Sequence, residues 1–167
     1  MAPEAECLTY PASAIGTSLS RTRGERRAVI GAGAECFARA SAANLRWAVK
    51  TRSGFRVARI ADGSAGPEGP VTVGETALIR FGPIRERVRV VRVVDEPRRR
   101  GFAYGTLPQH PLIGEEAFLV EWRDDDRVDL VIRSFSRPNG WLWTLLWPVV
   151  ALARQVVLRR YLRALVD

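Results

Sequence analysis

Residues 115–135, EEAFLVEW, an aspartate turn and RVDLVIRSF, constrain this chain more than any other stretch. Apolar and polar residues alternate with the period of an extended strand on both sides of the turn. A three-residue loop at Asp124-Asp125-Asp126 sets Trp122 opposite Val128, Val120 opposite Leu130 and Phe118 opposite Ile132. One face is then wholly apolar. A slip of one residue would mix Asp129 and Arg133 into it, so burial selects this register. Asp126 is suited to the left-handed backbone that such a loop requires. The outer face sets Glu121 opposite Asp129, a like-charge pair that neighbouring strand arginines such as Arg87 and Arg89 are expected to offset. One step further along the apolar row stands Glu116, opposite Ser134. It is expected at the rim; inside, it would need a hydrogen-bonded cation or a raised pKa.

Upstream, turn signals separate further short strands. Residues 1–24 read as an irregular lead-in, with Pro3, Pro11, Gly16 and Gly24 among small and polar residues. A strand is expected over 25–30, and a helix over 34–49 from Phe37, Ala40, Leu45 and Ala48 at helical spacing. The Gly31-Ala32-Gly33 between them lacks the longer spacing of a phosphate loop and reads as a turn. Strands follow at 54–60, 72–81, 86–94 and 100–107, the last with Phe102, Tyr104 and Thr106 on one side. Residues 61–70, ADGSAGPEGP, read as an exposed loop. Strands joined by turns imply an antiparallel meander rather than βαβ units.

The C-terminal segment 138–166 reads as one helix closing the domain. Gln155, Arg159, Arg160 and Arg163 share one side; Leu158, Tyr161, Leu162 and Leu165 share the other. Projected back, the apolar stripe takes in Val150, Trp147 and Trp143, with Arg154 inside it. Pro148 starts or kinks the helix, and a kink would turn Arg154 outward. The tryptophan-rich turn suits packing against a sheet first, then lining of a ligand cavity, then contact with a membrane surface.

Composition narrows the function classes. The net charge is +8, from 26 Lys and Arg against 18 Asp and Glu, but Lys50 is the only lysine and the arginines are scattered. No nucleic-acid motif spacing accompanies them, so no nucleic-acid partner is expected. Cys7 and Cys36 form no metal or disulfide framework, and a reducing cytoplasm is the simpler expectation. The apolar run from Trp141 to Ala153 is shorter than the ~20 residues of a membrane span. The aspartate turn lacks the glycine and distant glutamate of a calcium loop. Neither a metal nor a cofactor is expected.

The strings YGTLPQHPLIGEEAFLVE, FSRPNGWL and RRYLRAL resemble uncharacterised protein family 0548, a family of bacteria and plants. The likeness runs from Leu8 to the end and is most specific over Tyr104–Glu116 and Phe135–Pro138. Its usual Gly-His-Pro reads Gln109-His110-Pro111 here. The resemblance brings no activity and no catalytic residues. It implies a single α+β domain, 1–167, similar to the helix-grip fold of START-like and polyketide-cyclase proteins, in which a curved antiparallel sheet wraps a long C-terminal helix. A cavity between sheet and helix would bind a small apolar or amphipathic molecule. Phe118, Val120, Trp122, Leu130 and Ile132 are the expected lining from the sheet, and Trp143 and Trp147 from the helix. Tyr104, His110, Glu116 and Arg154 are the candidate polar contacts. Two alternatives stand beside this. His110 or Glu116, with Glu115 nearby, would serve as acid–base group in a cyclase- or hydratase-like enzyme. Or the basic helix face would meet an acidic partner or an anionic membrane.

Overall fold

The computed structural model describes residues 7–19, 24–61, 64–65 and 69–166. Eight strands form one antiparallel sheet: β1 (Arg26–Ala32), β2 (Arg56–Ala61), β3 (Ser64–Ala65), β4 (Thr76–Phe81), β5 (Ile84–Glu96), β6 (Arg99–Thr106), β7 (Leu112–Trp122) and β8 (Arg127–Pro138). Helices α1 (Gly33–Asn44) and α2 (Ala48–Arg52) follow β1, and α3 (Trp141–Leu145) and α4 (Trp147–Arg163) close the chain. The spatial order β1-β8-β7-β6-β5-β4-β2-β3 makes β4 to β8 a meander, with β1 docked beyond its last strand. Between β1 and β2 the chain must therefore return across the sheet. Helix α1 makes that crossing over β6, β7 and β8, and α2 reaches β2 and α4. The fold is α+β, with a curved antiparallel sheet and C-terminal helices.

The β7–β8 hairpin has the register that burial demands, from Trp122 opposite Val128 to Glu116 opposite Ser134. Asp126 closes the turn with φ 67°. The Glu121–Asp129 repulsion is offset by different arginines from those expected. Because β1 pairs with β8, Arg27 stands beside the acidic pair, 2.7 Å from Asp129 and 3.0 Å from Glu121. Arg99 and Arg133 approach Glu121 at 3.5 Å. Arg87 and Arg89 lie on β5, two strands away from β7.

The expected helix over 34–49 is interrupted. It ends at Asn44, whose buried side chain donates to the Phe118 carbonyl at 3.0 Å. Trp47 then takes φ 65°, and a new helix starts at Ala48. A left-handed non-glycine residue costs roughly 1–2 kcal/mol. The indole is 2 % exposed and lies 4.8 Å from the Phe102 ring, so packing holds the break in place. Sheet curvature has its own device at Gly101 and Gly114, with φ 159° and 154°. A Cβ there would lie 2.0 Å from the carbonyl oxygens of Phe118 and Phe135, a distance no side chain tolerates.

The lead-in does more than connect, although its residues 1–6 and 20–23 lie outside the described residues. Leu8, Ile15 and Leu19 pack on Val91, Ala103 and Ala117, covering the sheet face opposite the helices. Glu115, 2 % exposed, anchors them: it accepts from the Tyr10 hydroxyl at 2.9 Å, the Gly16 amide at 2.8 Å, the Ser18 amide at 3.0 Å and the Ser18 hydroxyl. Hydrogen bonds to a charged group contribute roughly 1.5–3 kcal/mol each. Glu115→Ala is accordingly expected to lower unfolding free energy by ~3 kcal/mol or more in urea titration. Amides of residues 8–19 should then exchange with solvent faster than those of β6 and β7.

Candidate functional site

A cavity of about 210 Å³ lies between the sheet and α4. Its position follows from the two helical layers. Helix α1 lies over the tip half of the β7–β8 hairpin and fills it; Phe37 stacks on Trp122 at 5.9 Å. Phe118, Val120, Leu130 and Ile132, at most 1 % exposed, are packed core there. None of these, nor Trp122, lines the cavity, which corrects the expected sheet-side lining. The open space sits at the other end, where β7 begins and β8 ends.

The helix-side lining is also corrected. The segment 138–166 is two helices, broken at Leu146, with Pro148 in the first turn of α4, where its missing amide costs nothing. Trp143 and Trp147 are half-buried outside the cavity. Val150, Ala153, Arg154, Val157, Leu158 and Tyr161 line it instead. Arg154 faces inward, because the break precedes α4 and leaves the stripe from Val150 to Tyr161 in one register.

Of the candidate polar residues, Tyr104, His110, Glu116 and Arg154 all border the cavity. Glu115 also borders the cavity, but consecutive strand residues point to opposite faces, and its carboxylate holds the lead-in. His110 instead faces Glu86 on β5, with Nε2 3.7 Å from Oε2. Its Nδ1 accepts from the Leu112 amide at 2.9 Å, so in the neutral ring the proton sits on Nε2, toward Glu86. Asn139 also donates to the His110 carbonyl at 2.8 Å. The ring thereby ties the β6–β7 connection to β5, and the backbone carbonyl ties it to the approach to α3. Burial raises the Glu86 pKa, but the hydrogen bond and charge of His110, then the charge of Lys50, outweigh it and hold the carboxyl below the usual range.

The residue that sequence reasoning passed over is Lys50. The chain's only lysine is 3 % exposed, on α2 just after the Trp47 break. Its ammonium lies 3.1 Å from Glu116 and donates to the Tyr161 hydroxyl at 2.6 Å. The rings of Phe55, Tyr104, Phe118 and Tyr161 surround it at 4.8–5.7 Å from their centroids. Tyr104 donates to Glu116 from the other side. Glu116 is therefore not a free rim carboxylate but, with its side chain 17 % exposed at the cavity wall, the half-buried partner of a buried ammonium. Burial pushes the lysine pKa down, yet Glu116 foremost, then Tyr104, Tyr161 and Glu86, carries it well above its ordinary value. Burial pushes Glu116 up, and Lys50, Tyr104 and Arg154 bring it below the carboxylate range. Both groups stay charged. The available signal was a single lysine in a chain that otherwise uses arginine.

Arg154 is differently placed. Its two terminal nitrogens donate to the hydroxyls of Ser136 at 2.7 Å and Ser134 at 2.6 Å. Among the described residues, no carboxylate makes an ion pair with it. These serines, at the end of β8, hold a cation at the cavity wall without neutralising it.

The profile of a family described as a domain of unknown function, DUF1990, matches residues 17–164. The chain belongs to this family. Similar curated proteins are called UPF0548 protein. One from Deinococcus radiodurans is 42 % identical over 78 residues, 47 % of this chain and 39 % of the relative. One from Dictyostelium discoideum is 32 % identical over 136 residues, 72 % of this chain and 60 % of the relative. The chain thus spans less than two thirds of the length of the curated relatives it matches. A crystal structure of a hypothetical protein from Helicobacter pylori has a similar fold, with TM-score 0.61 and 14 % identity over 96 % of this chain and 94 % of that one. No helix among the described residues is long and apolar enough to cross a membrane.

The Lys50–Glu116 pair has a definite pH signature. Glu116 and Glu86, with lowered values, stabilise the fold above the unfolded carboxylate pKa of roughly 4.3 and lose that contribution as pH falls through their folded values. Lys50, raised, stabilises below its unfolded value of roughly 10.4 and loses its contribution as pH rises through the folded one. Urea unfolding is therefore expected to show a plateau at neutral pH that declines on both sides. Glu116→Gln should cost about 3–5 kcal/mol, because it strands a buried ammonium, and should flatten the acid limb. Lys50→Met combined with Glu116→Gln should recover much of that loss.

Proposed function

We propose that the cavity binds a small amphipathic molecule with an apolar body and an anionic head, the head seated on Arg154. The single observation that carries this reading is a guanidinium in a largely apolar cavity, oriented by two neutral hydroxyls and lacking a carboxylate partner among the described residues. Glu116 feels the charge of Arg154 but is paired directly with Lys50, so an incoming carboxylate would give the guanidinium a direct partner of its own, in bidentate geometry if both oxygens reach it. Phe81, Ile84, Leu112, Val150 and Val157 offer the body an apolar surface. At about 210 Å³ the space suits a ligand smaller than a typical drug molecule. In this reading the architecture works as a helix grip, with the sheet as palm and α4 as the held element.

Catalysis by His110 or Glu116 draws less support. The histidine's Nδ1 is occupied by a backbone amide and its other nitrogen faces Glu86. Glu116 is committed to Lys50 and Tyr104. Neither is a poised base.

Calorimetric titration with octanoate, using octanol as the uncharged control, tests the proposal. Octanoate should bind the full chain, and Arg154→Met should weaken it at least tenfold while leaving octanol unchanged. Wild-type protein that binds neither probe, or octanoate binding indifferent to Arg154→Met, overturns it.

A further inference from the structure

Helix α4 is apolar on two opposite sides. Val150, Arg154, Val157 and Tyr161 face the cavity. On the opposite side, Val149, Leu152 and Val156 are 66 %, 71 % and 48 % exposed. Helix α3 extends this surface with Trp141 at 78 % and Leu145 at 70 %. Spacings of three and four residues place Val149, Leu152 and Val156 in one line along α4, and Leu145 ends α3 just before it. The same line runs on into Arg159, Arg160 and Arg163, all exposed. It is therefore greasy for its first half and cationic for its second, over roughly 21 Å along α4 at the rise of an α-helix.

We infer that this outward face of α3 and α4 docks on an anionic lipid bilayer. Contiguous exposed apolar surface marks an interaction site. An apolar line with an exposed tryptophan at one end suits the boundary between headgroups and acyl chains. The arginine end complements anionic headgroups, each arginine adding roughly fivefold to partitioning. A second copy fits less well. A two-fold partner presents the same line, so a parallel pairing sets arginines against arginines, and an antiparallel one lays them over apolar turns. The inference does not depend on what the cavity holds, because none of these side chains lines it.

Co-sedimentation of the full chain with vesicles of phosphatidylcholine and phosphatidylglycerol, against phosphatidylcholine alone, is the test. Binding should require the anionic lipid and weaken as salt is added. Leu152→Asp should lower it at least tenfold, and Arg159→Gln with Arg163→Gln roughly twenty-five-fold. Both sets of positions are exposed, so melting temperature should hold, and octanoate titration of Leu152→Asp should match wild type. Brominated lipid should quench wild-type fluorescence more than that of Trp141→Phe. The inference is overturned if anionic and neutral vesicles behave alike or if Leu152→Asp binds as well as wild type. It is overturned equally if sedimentation equilibrium finds a dimer that Leu152→Asp dissolves, which would make a second copy the occupant.

Discussion

The ion pair of Lys50 and Glu116 joins the sheet to two of the helices that cover one of its faces. It brings together α2, through the lysine, and β7, through the glutamate, and the two are linked to β6 by Tyr104 and to α4 by Tyr161. Removing two opposite charges from water costs several kcal/mol per ion, and the return depends on geometry and on satisfying the remaining protons. Here the ammonium has a carboxylate, a phenol and four ring faces. The arrangement adds little net stability over an apolar core, but it fixes which elements must meet. A compact, strongly hydrated point charge fits among four rings, where a planar guanidinium would need a wider, flatter space.

That constraint explains where the cavity lies. Aromatic rings gathered around the ammonium, and α1 over the hairpin tip, close one half of the helix-covered face. In the other half, α4 meets the ends of β7 and β8, and its Arg154 occupies the wall between them. The opposite face is sealed separately, by a lead-in pinned through Glu115. Neighbouring glutamates in one strand thus organise the two faces, Glu115 outside and Glu116 inside, because a strand turns successive side chains to opposite sides.

Much of this was legible in the residues. Alternation on both arms of the hairpin specified its register, since a one-residue slip would have set Asp129 and Arg133 in the apolar row; Asp129 is buried nonetheless, but on the other face against Arg27. Helical spacing brought Arg154 into line with Val150 and Leu158. What could not be read was long-range placement. The position of α1 over β7 depends on β1 pairing with β8 across a hundred residues, and without that contact the hairpin's apolar face looked like cavity wall rather than filled core. The same pairing hid the role of Arg27. Local propensity also favoured a continuous helix through Trp47, and only the volume available to the indole interrupts it. Lys50 was visible as a compositional oddity, but its partners come from three other elements.

The break at Trp47 carries a consequence for motion. Its backbone sits in a region that resists it, so the bend between α1 and α2 persists only while the indole stays wedged against Phe102 and Tyr104. Any fluctuation that frees the ring also relaxes the bend, and the ammonium three residues on swings with it. The polar floor of the cavity and the aromatic packing beneath it should therefore loosen together, as one cooperative unit rather than as independent side chains.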